Sequence, residues 1–160
     1  MQFRADVPTP ALLLDLDAFD DNIRKMATHL KARGKAFRPH GKTHKCPEVA
    51  RALIAAGAVG VCAARLSEAE VFAEHGIRGL LVTTAVVGKH KIARAIALAP
   101  KAPDTMFVVE DADNARAISN AARGGGPVKV VIDLYFGRTG IEAGEPALDL
   151  RRLLAALPHL

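Results

Sequence analysis

The sequence predicts an α/β protein built on a parallel sheet. Three observations carry that expectation. Short apolar runs recur roughly every 20 to 25 residues, each is followed by a stretch of helical periodicity, and glycine or proline separates one unit from the next. A strand, a crossover helix and two loops fill that spacing, and such crossovers join parallel neighbours.

The first apolar run, ALLLDLD at residues 11–17, alternates toward its end and is expected as a strand. Phe19, Ile23, Met26 and Leu30 then recur at helical spacing, with Asp17 expected to cap the helix and Gly34 to end it. Further strands are expected at residues 36–39, 58–63, 79–84, 105–109 and 128–134. Between them Pro47 suits a first helical turn, and Ser67 with Glu70 forms the capping box SEAE. Asp111 or Asp113 suits a cap, and Gly57 and Gly76 suit positions just past helix C-termini. Helices are also expected over residues 89–98 and from 145 to the end. An open doubly wound sheet and the first part of a (β/α)8 barrel, about 250 residues when whole, both accommodate this order. The last helix has no strand after it, which points to an incomplete barrel of about five βα units.

With 160 residues, half of them apolar, the chain has enough material for one core. No apolar run approaches the roughly 20 residues that span a bilayer, and MQFRADVPTP has no apolar stretch of the secretory kind. A cytoplasmic protein without a membrane partner is expected. Cys46 and Cys62 are too few for a disulfide framework and are read as free thiols. The net charge of +5 could suit nucleic acid, but one Tyr, six Phe and no Trp leave little for base stacking, so no nucleic-acid partner is expected. A small anionic ligand fits the charge equally well, and a merely solvated basic surface is its commonest explanation.

In either fold, ligands meet the C-terminal ends of the strands. RPHGKTHKC, residues 38–46, lies there after the strand expected at 36, and GRTG, residues 137–140, lies there after VKVVIDL. His40, His44, Cys46 and Cys62 offer metal-ligand chemistry, but their spacing matches no paired zinc pattern, and no metal ligand is assigned. GKT lacks the glycine-rich nest of a phosphate loop, and RGGGP, residues 123–127, precedes its strand and reads as a turn. A reactive lysine needs an amine crowded by other cations, so that the neutral form attacks a carbonyl. Lys42 has Arg38, His40, His44 and Lys45 as sequence neighbours. On spacing alone a merely polar lining loop stands as a reading ahead of the metal one.

TPALLLDLDAFDDNIRKMA, FRPHGKTHKCPEVARALIAAGAVGVCAARLSEAEVFAEHGIRGLLVTTAVVG and VVIDLYFGRTGI together resemble the N-terminal part of D-threonine aldolases. That group includes 3-hydroxy-D-aspartate aldolase and eukaryotic-type D-serine dehydratase, among the fold-type III, alanine-racemase-like enzymes that use pyridoxal 5'-phosphate. The resemblance implies that Lys42 carries the cofactor as a Schiff base and that Arg138 hydrogen-bonds its phenolic oxygen, with His40 in the cofactor's neighbourhood. It implies retro-aldol cleavage of a small β-hydroxy-D-amino acid to glycine and an aldehyde. D-serine dehydratase, amino-acid racemase and a non-catalytic cofactor-binding fragment stand as alternatives. Gly41 is more typical of the aldolases, since the dehydratases more often have valine there. Relatives often have a glycine early in the loop where this chain has Tyr135 and Phe136, and Tyr135 is expected to pack beneath the strand.

The relatives so resembled are more than twice as long. Residues 1–160 are therefore expected to be the N-terminal portion of a pyridoxal-phosphate-binding (β/α)8 barrel, without the remaining strands and the C-terminal β domain. A divalent cation of the Mn/Mg type is implied, with its ligands outside this chain, and a homodimer is implied at full length. The 160-residue chain alone is expected to bind the cofactor poorly and to turn over little substrate.

Overall fold

We describe residues 6–160 of a computed structural model, which divides into two compact units, Met1–Lys35 and Ala36–Leu160. Residues 1–5, which head the stretch read for a secretion signal, lie outside the described residues.

The first unit is one helix, α1 (Leu16–Lys31). Asp15 caps it: its backbone is extended and its carboxylate accepts the Ala18 N–H at 3.0 Å. The strand expected at residues 11–17 does not form. Leu12, Leu13 and Leu14 are exposed, and no ladder among the described residues takes up their backbone groups, without which an extended segment gains nothing. The cap therefore falls two residues earlier than expected. Asp17 sits instead in the first turn, where its charge complements the helix dipole. Gly34 follows the end of the helix with a φ of 61°, as expected. No residue of α1 is buried.

The second unit carries the sheet. Its elements are a 3-10 turn (Gly41–Thr43), α2 (Pro47–Ala55), β1 (Val61–Ala63), α3 (Leu66–Glu74), β2 (Leu80–Val82) and α4 (Lys89–Leu98). They continue with β3 (Met106–Val109), α5 (Ala112–Ala121), β4 (Lys129–Ile132) and α6 (Glu145–Ala156). The strands stand in the order β1-β2-β3-β4, every pair parallel. A doubly wound sheet reverses its direction of travel, whereas here every crossover steps the same way, as in a barrel. The open alternative is thereby settled in favour of a barrel-type arc.

The strand expected at residues 36–39 is reduced to an extended edge beside β1. Val59 N–H donates to Phe37 O at 2.9 Å and Cys62 N–H to Pro39 O at 2.8 Å, with one bridge pairing His40 and Cys62. Pro39 has no N–H to return, so the ladder cannot lengthen.

Val61, Ala63, Leu80, Val82, Phe107 and Val109 alternate onto one buried sheet face. Phe72, Ile92, Leu98 and Ile118 from the helices join them in a single core cluster. Each of these side chains other than that of Ala63 contributes about 1.5–3 kcal/mol by leaving water. Most local signals are read correctly: Pro47 opens α2, Asp111 caps α5 by accepting the Asn114 N–H at 2.8 Å, and Gly57 and Gly76 follow α2 and α3. The capping box is not formed. Leu66 is buried and already helical, so Arg65 takes the cap position and Ser67 lies inside the first turn. Glu70 instead pairs with Arg94, with Nε 2.9 Å from Oε1, and Glu68 accepts the Ala64 N–H at 2.9 Å.

Candidate active site

The turn that carries Lys42 rests directly on the core. Gly41 is fully buried, and a Cβ there would lie 2.6 Å from Phe72 Cε2 and Cζ and 3.0 Å from Val61 Cγ1. Only glycine lets the backbone settle onto that ring. His40, at the N-terminus of the turn, accepts the Lys42 N–H on Nδ1 at 3.3 Å, and Thr43 Oγ1 donates to His40 O at 3.2 Å. The lysine's backbone is thus tied while its side chain stays exposed on the pocket side.

Of the four cationic neighbours expected to crowd Lys42, His40 stays beside it and feels its charge, whereas the other three are engaged elsewhere. Arg38 Nε donates to Gly79 O at 2.9 Å, just before β2 and so at the opposite end of the strands. Lys45 Nζ lies 3.5 Å from Glu68 Oε1. His44 Nδ1 accepts the Cys46 N–H at 3.1 Å, its ring tilts toward Phe72 with centroids 6.2 Å apart, and its Nε2 is buried without a partner. Sequence neighbours on a turn point in different directions, which spacing alone does not reveal.

The second loop is closed on itself. Tyr135 N–H donates to Ile141 O and Ile141 N–H to Asp133 O, both at 2.8 Å, so residues 134–141 form a loop pinned at its base. Two carboxylates at strand ends hold it: Glu110 accepts the Gly140 N–H at 2.7 Å, and Asp133 accepts the Thr139 hydroxyl at 3.0 Å. Gly140 has a φ of 109°, and a Cβ there would lie 2.5 Å from the Leu134 carbonyl carbon.

The two loops face one cavity of about 640 Å³ at the C-terminal ends of the strands, lined by His40, Lys42, Thr83, Glu110, Asp133 and Arg138 among others. That volume is in the range of small-molecule sites. All three site residues expected from the sequence, Lys42, His40 and Arg138, line it. Tyr135 does not pack beneath the strand: it is 49% exposed, and Phe136 lines the cavity in its place. Thr83, Glu110 and Asp133 were not singled out from the sequence. Each stands directly after a strand, where a barrel side chain reaches ligands, and that position was the available signal.

Among the described residues, no group of three or more His, Cys, Asp or Glu side chains could hold a metal ion. Cys46 and Cys62 are free thiols. No helix among the described residues is long and apolar enough to cross a membrane.

His40 and His44 both titrate below the ordinary imidazole value of 6.5. Burial is the main cause for each, and the Lys42 charge adds to it at His40. The unfolded chain takes up protons near 6.5, whereas the folded chain takes them up only at lower pH. Stability is therefore full above 6.5 and declines as pH falls below it. The urea midpoint should be lower at about pH 5 than at about pH 7.5, and less so in His40→Asn and His44→Asn. A midpoint that stays level or rises on acidification would contradict this.

A family model described as the alanine racemase N-terminal domain matches residues 14–160. The 3-hydroxy-D-aspartate aldolase of Paracoccus denitrificans is 41% identical over 161 residues, covering 98% of this chain and 41% of that protein. A D-threonine aldolase from an Arthrobacter species is 37% identical, covering 96% of this chain and 41% of that protein. The crystal structure of D-threonine aldolase from Filomicrobium marinum superposes with a TM-score of 0.93 at 41% identity, covering 98% of this chain and 43% of that one. The chain thus spans about two fifths of the length of the relatives it matches. With the family match running from the residue before α1's cap through all four strands and α6, the chain belongs to the alanine racemase N-terminal domain family.

Proposed function

We propose that residues 1–160 form the N-terminal portion of a pyridoxal-phosphate-binding (β/α)8 barrel. The whole protein is then a carbon–carbon lyase that cleaves a β-hydroxy-D-amino acid to glycine and an aldehyde. The observation that carries this reading is that Lys42 and Arg138 line one cavity at the strand ends. The similarity to two aldolases by name supports it.

The residues present fit the cofactor. An exposed amine suits its aldehyde, a guanidinium suits its phenolate, and the cavity is large enough to take the ring. When bound, pyridoxal phosphate supplies an electron sink for the bond broken at the substrate's α-carbon. Lys42 would hold the cofactor through its exposed amine, which suits the cofactor's aldehyde. Arg138 would donate to the phenolic oxygen, from a loop that Glu110 and Asp133 keep in place. His40 has both ring nitrogens engaged within the protein, so it supports the turn bearing Lys42 and would lend the cofactor no nitrogen. A divalent cation of the Mn/Mg type finds no donor set among the described residues, and no step here runs through one.

By the resemblance Gly41 favours the aldolase over the dehydratase reading, and here the Phe72 ring fills the space a valine would need. Joining this chain to the C-terminal remainder of the Paracoccus relative tests the choice. Glycine plus aldehyde from D-threonine or 3-hydroxy-D-aspartate is expected, and pyruvate plus ammonia from D-serine in their place would sink the proposal. The 160-residue chain alone should show little turnover. Two free thiols support a cytoplasmic location. The resemblance alone supports a homodimer at full length.

A further inference from the structure

We infer that Thr83 is a positioning residue for Lys42, acting through the ring of His40; this rests on the reading of Lys42 as the cofactor lysine. The hydrogen-bond geometry leaves one assignment of protons. A backbone N–H can only donate, so His40 Nδ1, 3.3 Å from Lys42 N, must accept. In the neutral ring the proton then sits on Nε2, which lies 3.2 Å from Thr83 Oγ1. With that oxygen accepting, the hydroxyl's own proton goes to Ala63 O, also at 3.2 Å.

A continuous relay results, running from the last residue of β1 through Thr83 and His40 to the backbone of Lys42. Its far end is rigid, because Ala63 O also receives the Thr83 N–H at 2.9 Å and so belongs to the sheet. Its near end is the 3-10 turn, too short to hold its own geometry. The Cys62 backbone also hydrogen-bonds the ring, but without the Thr83 hydroxyl the half-buried Nε2–H loses the side-chain acceptor 3.2 Å away, and the ring gains by moving that proton to Nδ1. An Nδ1–H would then face the Lys42 N–H, donor against donor, and the turn would lose its cap. A β-branched residue chosen only for strand geometry would serve as well without a hydroxyl, so the isosteric valine separates the two roles.

The test uses the 160-residue chain with Thr83→Val and Thr83→Ser, each verified as folded by circular dichroism. Nitrogen-15 NMR reads the His40 tautomer, and borohydride reduction with subsaturating pyridoxal phosphate reads the yield of label on Lys42. Wild type and Thr83→Ser should show the Nε2–H tautomer. Thr83→Val should lose it and lower the label about fivefold, the scale of a lost cap. In a His40→Asn background the short amide caps the Lys42 N–H without help from residue 83, so Thr83→Val should have no further effect. Equal label in wild type and Thr83→Val, an Nδ1–H tautomer in wild type, or an undiminished loss in the asparagine background would each overturn the inference. Label on a lysine other than Lys42 in the wild type would overturn the functional reading instead, while the tautomer arm still judges the link from Thr83 to His40.

Discussion

Replacing Phe72 by alanine should cost the chain about 3–5 kcal/mol of stability, the largest loss expected of any single substitution considered. The ring is 2% exposed and belongs to the main core cluster, so its removal forfeits burial and leaves a cavity. It is also the surface on which Gly41 rests and toward which His44 tilts. The same change should therefore loosen the turn bearing Lys42, and core packing and site geometry should fail together. Phe72→Leu, which retains most of the volume, should cost about half as much or less. Urea denaturation checks both, and a loss under about 1 kcal/mol for the alanine variant would show that the ring is not the support described.

Gly41→Val should destabilise the chain by about 1–3 kcal/mol, through crowding and not through a cavity. A side chain at position 41 begins 2.6 Å from two ring carbons of Phe72 and 3.0 Å from Val61, and both neighbours are buried. Relief should come from the partner: Phe72→Leu combined with Gly41→Val should cost less than the two changes added together, as touching residues do. Strict additivity, or a valine variant as stable as the wild type, would contradict the close approach of turn and ring. The pairing matters for function because the turn cannot ride higher on the ring without carrying Lys42 with it.

The helices were legible because their signals are local. Pro47, Asp111, Gly57 and Gly76 act on the residues beside them, and the structure uses each as read. Where a local signal competed with packing, packing won. Ser67 and Glu70 spell a capping box, yet burial of Leu66 starts α3 earlier. Residues 11–17 alternate like a strand, but strands need partners, and alternation does not say whether one exists. Residues 36–39 failed as a full strand for a reason printed in the sequence: Pro39 cannot donate. Strand order was illegible in principle, since open and closed sheets share the βα alternation and differ only in which way each crossover steps.

The candidate site was half legible. RPHGKTHK and GRTG could be placed at strand ends, and Lys42 and Arg138 do share a cavity. Side-chain direction could not be read, so Arg38 and Lys45 were grouped with Lys42 although they bind Gly79 O and Glu68. Thr83, Glu110 and Asp133 carry no motif and become recognisable only when strand ends are known to within one residue. Their roles come from distance, since each holds a loop or a ring that the sequence shows separately.

The central claim is that Lys42, and not its neighbour Lys45, is the amine that takes the cofactor. Lys42 opens onto the cavity shared with Arg138, whereas Lys45 sits at a φ of 49° with its amine drawn to Glu68. The most direct measurement is borohydride reduction of the chain with excess pyridoxal phosphate, followed by peptide mapping in wild type, Lys42→Ala and Lys45→Ala. The geometry predicts a pyridoxyl group on Lys42 in wild type and in Lys45→Ala, and its loss in Lys42→Ala. Label found chiefly on Lys45, or spread evenly over the exposed lysines, would contradict it.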